Sequence, residues 1–346
     1  MISRARRVLV SATMLLLAAP ASWAALASYS QNFEALVQAS PTALSADGWL
    51  VSGVVFNGDT GGTPPYGAFK FFYGNFPAPN GGTAFSAIAT GESGPTQGLQ
   101  VLSVYSDYNC CQSTSEGHFD GTAPNDFVQS NVFREQTIGP ADIGTTWSFK
   151  FDAKVSAVNG CGTAPASDCV AFIRTLDPAN GFAQTNFVTF DAQAAVTSTW
   201  STHNISIDLT DPLLNGQILQ FGFQSTSQLF GNTGVFYDNI SFGVDTDVDG
   251  VPNIADNCRL LANNTGAAAQ CDSDADGFGN RCDGDMNNNS ATNAQDSVLF
   301  RQQLGQPSVA PVFNKADLNC NGVVNAQDTT LFRQRLGSPP GPGAGP

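Results

Sequence analysis

The chain has 346 residues, and its 29 acidic against 14 basic residues give a formal net charge of −15. Only 12% of the residues are charged, whereas glycine (35), proline (19) and phenylalanine (25) are abundant, which is typical of many short strands joined by turns. This composition excludes disorder of the whole chain, and the negative charge argues against nucleic acid or anionic lipid as a partner.

The N-terminus predicts a secretory signal peptide at residues 1–24. Arg4, Arg6 and Arg7 precede an apolar run at 8–19 and a small-residue exit at 21–24. The apolar run is too short for a membrane-spanning helix, and no later run is long enough. We therefore expect a secreted or cell-surface protein with no membrane span after signal removal.

Residues 28–243 predict a recognition domain with a jelly-roll β-sandwich fold. Apolar and polar residues alternate most clearly at 146–155, as in a half-buried antiparallel strand. Similar runs separated by turn residues predict strands at 50–56, 68–73, 99–105, 170–175, 187–190, 205–209, 219–223 and 235–242. Most phenylalanines fall on inward positions of these strands, which indicates core packing.

The eight cysteines of this predicted exported chain indicate disulfides, because no C-x-x-C pair is present. Cys161 and Cys169 bracket a turn-rich segment between two predicted strands, so we expect them to pair. The sequence leaves open the connectivity of Cys110, Cys111, Cys258, Cys271, Cys282 and Cys320.

The sandwich shows no clear catalytic motif. His118 and His203 are the only histidines and offer little for a His-dependent site. Paired carboxylates could cleave a glycosidic bond, and the loop candidates are Glu92, Asp107, Glu116 and Asp120. Aromatic side chains that could stack on sugars are Tyr66, Tyr73, Tyr105, Tyr108 and Trp49.

The composition changes at Val244, and nine Asp residues follow between Asp245 and Asp285. Two carboxylates about 4 Å apart repel by roughly 4 kcal/mol at an effective dielectric near 20, so such a cluster calls for cations. Oxygen donors alternate as in a twelve-residue calcium loop, with glycine at the sixth position. The predicted Ca²⁺ ligands are Asp245, Asp247, Asp249, Val251, Asn253 and Asp256 in a first loop, and Asp272, Asp274, Asp276, Phe278, Asn280 and Asp283 in a second.

The letters DTDVDGVPNIADNC and CDSDADGFGNRCD in this segment (244–283) resemble thrombospondin type 3 repeats. In that family, calcium ions and disulfides replace a hydrophobic core. The resemblance implies that role for Cys258 and Cys282, although Cys271 departs from the pattern and leaves the partner of Cys258 open.

A second duplication follows, because the loops at 285–296 and at 317–328 are similar and start 32 residues apart. Each loop is followed by a near-identical short helix that ends at a glycine. Residues 284–337 resemble a type I dockerin, a calcium-dependent module that docks on cohesins. The resemblance implies Ca²⁺ ligands at Asp285, Asn287, Asn289, Ala291, Asn293 and Asp296, and at Asp317, Asn319, Asn321, Val323, Asn325 and Asp328. Ser290 replaces glycine in the first of these loops, at a cost of about 1 kcal/mol.

The sandwich ends carry a looser resemblance, through Asn32-Phe33-Glu34 at the expected first strand and the run 236–241 at the last. They resemble secreted carbohydrate-binding and adhesin jelly rolls, and we expect Glu34 and Asp238 to share a structural calcium.

The sequence thus predicts a mainly β, secreted, calcium-binding modular protein. A non-catalytic sandwich would recognise carbohydrate or a cell surface, a calcium-bound stalk would follow, and a dockerin-like module would bind a cohesin-like protein or surface receptor. Two alternatives stay open: a glycoside hydrolase or polysaccharide lyase with its active site in the sandwich, and a protein-binding adhesin. Residues 338–346 are expected to form a disordered Pro/Gly tail.

Overall fold

The structure is a computed structural model that describes residues 25–57, 67–81, 85–106, 126–155, 161, 168–227, 234–264, 269–309 and 313–343. The predicted signal peptide, Cys110, Cys111 and His118 lie outside these ranges. Within them, no helix combines the length and the apolar character needed to cross a membrane.

Twelve strands in the described ranges form two antiparallel sheets. The first contains β1 (Tyr29–Gln31), β4 (Ser86–Thr90), β5 (Gln100–Val104), β7 (Thr146–Val155), β10 (Ser201–Asp208) and β12 (Val235–Val244). Its order is β10-β7-β12-β5-β4, and β1 also pairs with β12. The second contains β2 (Leu50–Phe56), β3 (Phe69–Pro77), β6 (Phe127–Thr137), β8 (Asp168–Asp177), β9 (Ala183–Asp191) and β11 (Ile218–Ser227), in the order β3-β2-β6-β11-β8-β9.

Aromatic rings from both sheets fill the space between them. Phe221 stacks on Phe242 with ring centroids 4.0 Å apart, and Phe223 stacks on Tyr237 at 3.5 Å. These pairs join β11 of the second sheet to β12 of the first, and burial of such large rings is a main source of stability. The predicted β-sandwich is confirmed.

Several predicted strands, such as those at 68–73 and 187–190, are shorter than the observed ones, and three larger differences stand out. β4 and β6 were not predicted, and β6 is a central strand whose polar residues Ser130 and Asn131 are buried. These residues break the apolar alternation that sequence reading depends on. The first strand ends at Gln31 instead of beginning at Asn32, because the chain turns at Phe33, which has φ of 61°.

Two short helices, α1 (Ala43–Ala46) and α2 (Ala192–Ala195), lie within the sandwich, and two longer ones, α3 (Ala294–Gln303) and α4 (Ala326–Arg335), near the C-terminus. The acidic segment between sandwich and α3 is folded against the first sheet instead of standing apart as a stalk. The backbone N–H of Asp245 donates to the carbonyl of Thr146 (3.0 Å), and that of Asn253 to the carbonyl of Val244 (2.7 Å).

Three disulfides hold the described chain. The predicted pair Cys161–Cys169 is confirmed, with Cα atoms 6.1 Å apart. Cys258 pairs with Cys282 inside the acidic segment, and Cys271 pairs with Cys320 in the last loop, with Cα distances of 5.6 and 6.7 Å. The second acidic loop is therefore linked covalently to the C-terminal helical unit.

The beginning of the C-terminal tail is packed, in contrast to the expected disordered coil. Gly341 donates its N–H to the carbonyl of Cys282 (3.1 Å), and the carbonyl of Pro342 accepts from Arg259 (3.2 Å). Residues 338–343 thus return to the acidic segment.

Candidate functional site

Four loops, at 245–256, 272–283, 285–296 and 317–328, share one backbone turn. In each, the residue at the sixth position has a positive φ and donates its N–H to the carboxylate at the first position. The pairs are Gly250–Asp245 (2.8 Å), Gly277–Asp272 (3.0 Å), Ser290–Asp285 (2.5 Å) and Gly322–Asp317 (2.9 Å), with φ of 92°, 93°, 69° and 97°. Ser290 therefore adopts the left-handed conformation that glycine takes in the other three.

The first loop concentrates negative charge without a counter-ion among the described residues. Carboxylate oxygens of Asp245, Asp247 and Asp249 lie within 4.8 Å of one another. Both oxygens of Asp247 and Oδ2 of Asp256 are buried without a hydrogen-bond partner. Burial, then the neighbouring carboxylates, raises the pKa of Asp247 to about 7, and burial raises that of Asp256 to about 6. This oxygen cluster fits a hard divalent cation such as Ca²⁺.

The asparagines at the ninth position close their loops. The side chain of Asn253 accepts from the Thr246 N–H (3.2 Å) and donates to its hydroxyl (2.8 Å). Asn280 makes the equivalent bonds to Ser273 at 2.9 and 2.7 Å. The structure shows a loop-closing contact for these two predicted ligands. Val251 is buried and Phe278 is partly exposed, each at the seventh position.

The second loop already contacts a cation, the ammonium group of Lys315. Carboxylate oxygens of Asp272, Asp274 and Asp276 lie within 4.8 Å of one another. Lys315 forms an ion pair with Asp274 and lies 3.1 Å from the carboxylate of the buried Asp283. Its ammonium also donates to Asn288 in the third loop. Lys315 therefore joins the second loop to the helical unit, a contact that the sequence did not predict.

The third and fourth loops place their aspartates inside and their amides near the surface. Asp285, Asp296, Asp317 and Asp328 are buried, and Oδ1 of Asp285 and of Asp296 has no hydrogen-bond partner. The remaining predicted ligands are exposed or partly exposed, namely Asn287, Asn289, Ala291, Asn293, Asn319, Asn321, Val323 and Asn325.

Each of these loops also caps the helix that follows it. Asn293 accepts from Gln295 N–H (2.8 Å), while Asp296 accepts from the Asn293 N–H (2.8 Å). Asn325 and Asp328 repeat this capping box in α4. The helices thus begin three residues before the expected starts at 297 and 329, because the last loop residues form the first helical turn.

The two helices meet face to face in a duplicated groove. The rings of Phe300 and Phe332 stack with centroids 4.5 Å apart. A groove of about 270 Å³ is lined by three residues of each helix and the leucine that follows it, all in equivalent positions: Ser297, Phe300, Arg301 and Leu304, and Thr329, Phe332, Arg333 and Leu336. Leu304 and Leu336 are 41% and 43% exposed at its edge. The groove therefore presents an apolar, two-fold surface flanked by arginines.

The predicted pair Glu34 and Asp238 acts electrostatically together with Asp152, although these three carboxylates do not come within 4.8 Å of one another as those of the first two loops do. Glu34 accepts the N–H groups of Leu99 (2.7 Å) and Gln100 (2.6 Å). Asp238 is fully buried with Oδ2 unpartnered, and lies opposite Asp152 on the neighbouring strand. Burial, then Asp152 and Glu34, raises the pKa of Asp238 to about 7. Sequence reading missed Asp152 because cross-strand register is not visible in one sequence.

The candidate catalytic residues that the structure describes have structural contacts. Glu92 pairs with Lys154 at 2.7 Å. His203 stacks on Phe190 at 4.4 Å, and burial lowers its pKa. Asp107, Glu116 and Asp120 lie outside the described residues.

Two of the candidate sugar-stacking residues are core residues instead. Trp49 is completely buried and its indole N–H donates to the Tyr29 hydroxyl (3.0 Å). Tyr73 packs against Phe85 with ring centroids 6.2 Å apart. Tyr105 is partly exposed, and Tyr66 and Tyr108 lie outside the described residues. The exposed aromatic residues include four on the edge strand β3, in contrast to the expected core positions: Phe69, Phe71, Phe72 and Phe76.

The C-terminal loops and helices match a known family. Residues 283–337 match the sequence model of the dockerin type I domain. This segment is therefore similar to a dockerin type I domain. The match covers both duplicated loops, both helices and the groove between them. A search of the curated proteins found no match for the chain.

Solved structures with some similarity to the chain include three with low TM-scores. A tailspike protein domain of bacteriophage CBA120 is 13% identical, with 60% of this chain and 21% of that chain covered and a TM-score of 0.32. A carbohydrate-binding module of the β-sandwich superfamily is 13% identical, covering 61% and 60%, with a TM-score of 0.32. A xylan-binding domain of Paenibacillus barcinonensis is 11% identical, covering 46% and 80%, with a TM-score of 0.28. The chain spans less than two thirds of the first two, and similarity at this level carries no functional argument.

Proposed function

We propose that the chain is a secreted, calcium-binding modular protein whose sandwich recognises carbohydrate or a cell surface without catalysis. Its dockerin domain would attach it to a cohesin-type partner. The observation that carries the proposal is the duplicated groove between α3 and α4, whose helices begin in capping boxes built from loop residues. A change in either calcium loop would therefore act directly on the helix that lines the proposed docking surface.

We propose calcium as the ion of all four loops. Asp247 and Asp256 in the first loop, and Asp285 and Asp296 in the third, leave buried carboxylate oxygens unpartnered, as expected of groups that bind a cation. The acidic segment would follow the thrombospondin type 3 pattern, with metal and the Cys258–Cys282 disulfide in place of an apolar core. Asp238, Glu34 and Asp152 would hold a further ion in the sandwich.

A titration of the full chain with purified type I cohesins, in calcium and then in chelator, tests the attachment. We expect binding in calcium that is lost in chelator, because the ions fix the loops from which both helices begin. Exchanging Leu304 and Leu336 for Asp should abolish binding, whereas exchanging Val298, which is exposed but does not line the groove, should not. Equal binding with and without calcium, or no binding to any cohesin, would contradict the proposal.

Recognition by the sandwich needs a separate test. The full chain should bind members of a glycan array without releasing reducing sugar from them. Turnover of a bound glycan would instead support the hydrolase or lyase alternative. A blank array together with adherence to cells or proteins would support the adhesin alternative.

A further inference from the structure

The outer face of the first sheet carries a row of four polar side chains across four strands. Ser30 on β1 is paired with Ser241 on β12, Ser241 with Lys150 on β7, and Lys150 with Asn204 on β10. The neighbours Phe149 and Phe151 of Lys150 and Phe242 of Ser241 are buried in the core, so Lys150 and Ser241 point outward together with the residues paired to them. Lys150 is the only charged member of the row.

A groove opens on each side of Lys150. One, of about 380 Å³, is lined by Ser30, Gln31, Asn32, Lys150, Asn239, Ile240, Ser241 and Ala255. The other, of about 370 Å³, is lined by Lys150, Thr202, Asn204, Asn264, Ala269 and Gln270. Among the residues that the structure describes, no carboxylate lines either groove, although acidic residues outnumber basic ones twofold in this chain. The one charge that both grooves share is positive.

Lys150 differs from the other three lysines of the chain because it has no ion pair among the described residues. Lys70 pairs with Asp126 and Lys154 with Glu92, each at 2.7 Å, and Lys315 pairs with Asp274 and Asp283. The carboxylate two residues further along β7, Asp152, already accepts from Thr202 (2.6 Å), Gln97 (2.7 Å) and Asn239 (2.8 Å). The ammonium of Lys150 is thus left for another anion.

A second unpartnered group lies on the same face. The hydroxyl of Ser241 is buried in the first groove and has no hydrogen-bond partner. Buried polar groups are normally paired, and an orphan in a groove wall indicates a missing ligand or water. Around it, the amide nitrogen of Asn32 offers donors, and Oδ1 of Asn239 offers an acceptor, since the amide nitrogen of Asn239 already donates to Thr96 (3.1 Å) and Asp152 (2.8 Å).

We propose that this face binds a uronic acid unit of an acidic polysaccharide, with its carboxylate on Lys150 and its ring hydroxyls on the surrounding serine and asparagine groups. A charge-assisted bond to an ammonium discriminates a carboxylate from a neutral group. The amides and hydroxyls are the groups that recognise sugar hydroxyls. This inference rests on the proposed recognition of carbohydrate by the sandwich and gives it a site and a ligand class.

The negative charge of the chain does not oppose this assignment at short range. At physiological salt the Debye length is about 8 Å, so distant carboxylates act weakly on a ligand held against Lys150. They lower the association rate more than the affinity. Calcium bound in the four loops would also reduce the net negative charge.

The acidic segment supplies one wall of each groove. Ala255 of the first calcium loop lines the first groove, while Asn264 and Gln270 line the second. The carboxylate of Asp245, in the same loop, accepts from Ser148 on β7 (2.6 Å), which holds the wall against the sheet. Ligand binding should therefore need the folded first loop and weaken on chelation.

The test is calorimetric titration of the full calcium-loaded chain with trigalacturonate and with its methyl ester. We expect the acid to bind at least tenfold more tightly than the ester, and Lys150→Met to lose at least tenfold in affinity for the acid. Lys150→Arg should retain most of the binding. Lys154→Met is the matched control, because Lys154 lies on the same strand and face but is paired with Glu92. It should bind as the parent does.

The outcomes separate this inference from the proposed function. Equal binding of acid and ester, no binding of the acid, or unchanged binding in Lys150→Met would overturn the inference. If the chain then still binds neutral glycans on an array, carbohydrate recognition stands and lies elsewhere. If it binds no glycan at all, carbohydrate recognition fails as well. Ser241→Ala, a small change in the groove wall, should weaken acid binding with an unchanged melting temperature, which excludes misfolding as the cause.

Discussion

Lys315 should make the second acidic loop a weaker calcium site than the first. Its ammonium contacts Asp274 and Asp283, two of the predicted ligands, and its side chain is only 15% exposed. A calcium ion in that loop would share these carboxylates with a second positive charge. The first loop, with unpartnered carboxylate oxygens on Asp247 and Asp256, has no such competitor among the described residues. Lys315→Met removes the ammonium while keeping most of the side-chain volume.

The expected gain in calcium affinity in Lys315→Met follows from the distance between the Lys315 ammonium and the loop carboxylates. Two unit charges about 4 Å apart interact by roughly 4 kcal/mol at an effective dielectric near 20. Lys315 lies 3.1 Å from Asp283, whose side chain is 1% exposed, so solvent screens this pair little. Desolvation of the ammonium and the flexibility of its stem offset part of the interaction. We expect a gain of about 1.4 to 2.8 kcal/mol in calcium binding, or roughly tenfold to a hundredfold in affinity.

Nuclear magnetic resonance can read each loop separately in the full chain. The N–H groups of Gly250, Gly277 and Gly322 each bond to the first carboxylate of their own loop. In a calcium titration of the parent, the amide resonance of Gly250 should shift at a lower calcium concentration than that of Gly277. In Lys315→Met, the Gly277 resonance should shift at a calcium concentration at least tenfold lower than in the parent. The Gly250 resonance should titrate as in the parent and is the internal control. An unchanged titration of Gly277, or a response only at higher calcium, would show that Lys315 does not compete with calcium in the second loop.

The sandwich site gives two further predictions, and both can be measured by tryptophan fluorescence. Trp49, Trp147 and Trp200 lie in the sandwich, and no tryptophan follows it in the sequence. In chelator, Asp238→Asn should raise the melting temperature because it removes a buried charge. In calcium, it should lower the melting temperature because it removes a ligand of the ion. The same shift in both buffers would argue against an ion at Asp238. The pKa of Asp238 is raised to about 7 from its ordinary value near 4, so the folded state binds the proton more tightly than the unfolded state. In chelator, Asp238 should make stability fall as pH rises from about 4 to 7, by up to about 1.4 kcal/mol per pH unit, in addition to the slope that the raised pKa values of Asp247 and Asp256 cause. Asp238→Asn should remove its own share of the slope; a slope of unchanged size in Asp238→Asn would assign all of it to other groups.

The period-two pattern of the sequence predicted the strands whose buried residues are apolar, and it failed where the buried residues are polar. Strands β2 and β7 have the predicted bounds because their inward residues are consistently apolar. β6 was missed because Ser130 and Asn131 are buried within it, and Ser130 is held by hydrogen bonds to Tyr105 and Ser225. Such partners come from other strands, so the pattern of one segment does not show them.

The calcium loops could be located from sequence because their turn depends on local spacing. The sixth residue takes a positive φ in all four loops, even at Ser290. The contacts between the loops and the rest of the chain were not predictable. Lys315 contacts the second loop and Asp152 lies opposite Asp238, and both contacts depend on the tertiary fold. The contact of Asp245 with Ser148 on β7, which packs the start of the acidic segment against the sheet, was not predicted for the same reason.

Native mass spectrometry of the full chain counts the calcium ions bound to one molecule, so it tests whether each loop holds an ion. We expect four calcium ions in the C-terminal loops and a fifth in the sandwich, with the fifth lost in Asp238→Asn. One of the four should leave first on dilution of calcium, and Lys315→Met should retain this ion. A chain that binds no calcium, or that binds the same number of ions after Asp245, Asp272, Asp285 and Asp317 are all exchanged for Asn, would show that the loops are not calcium sites.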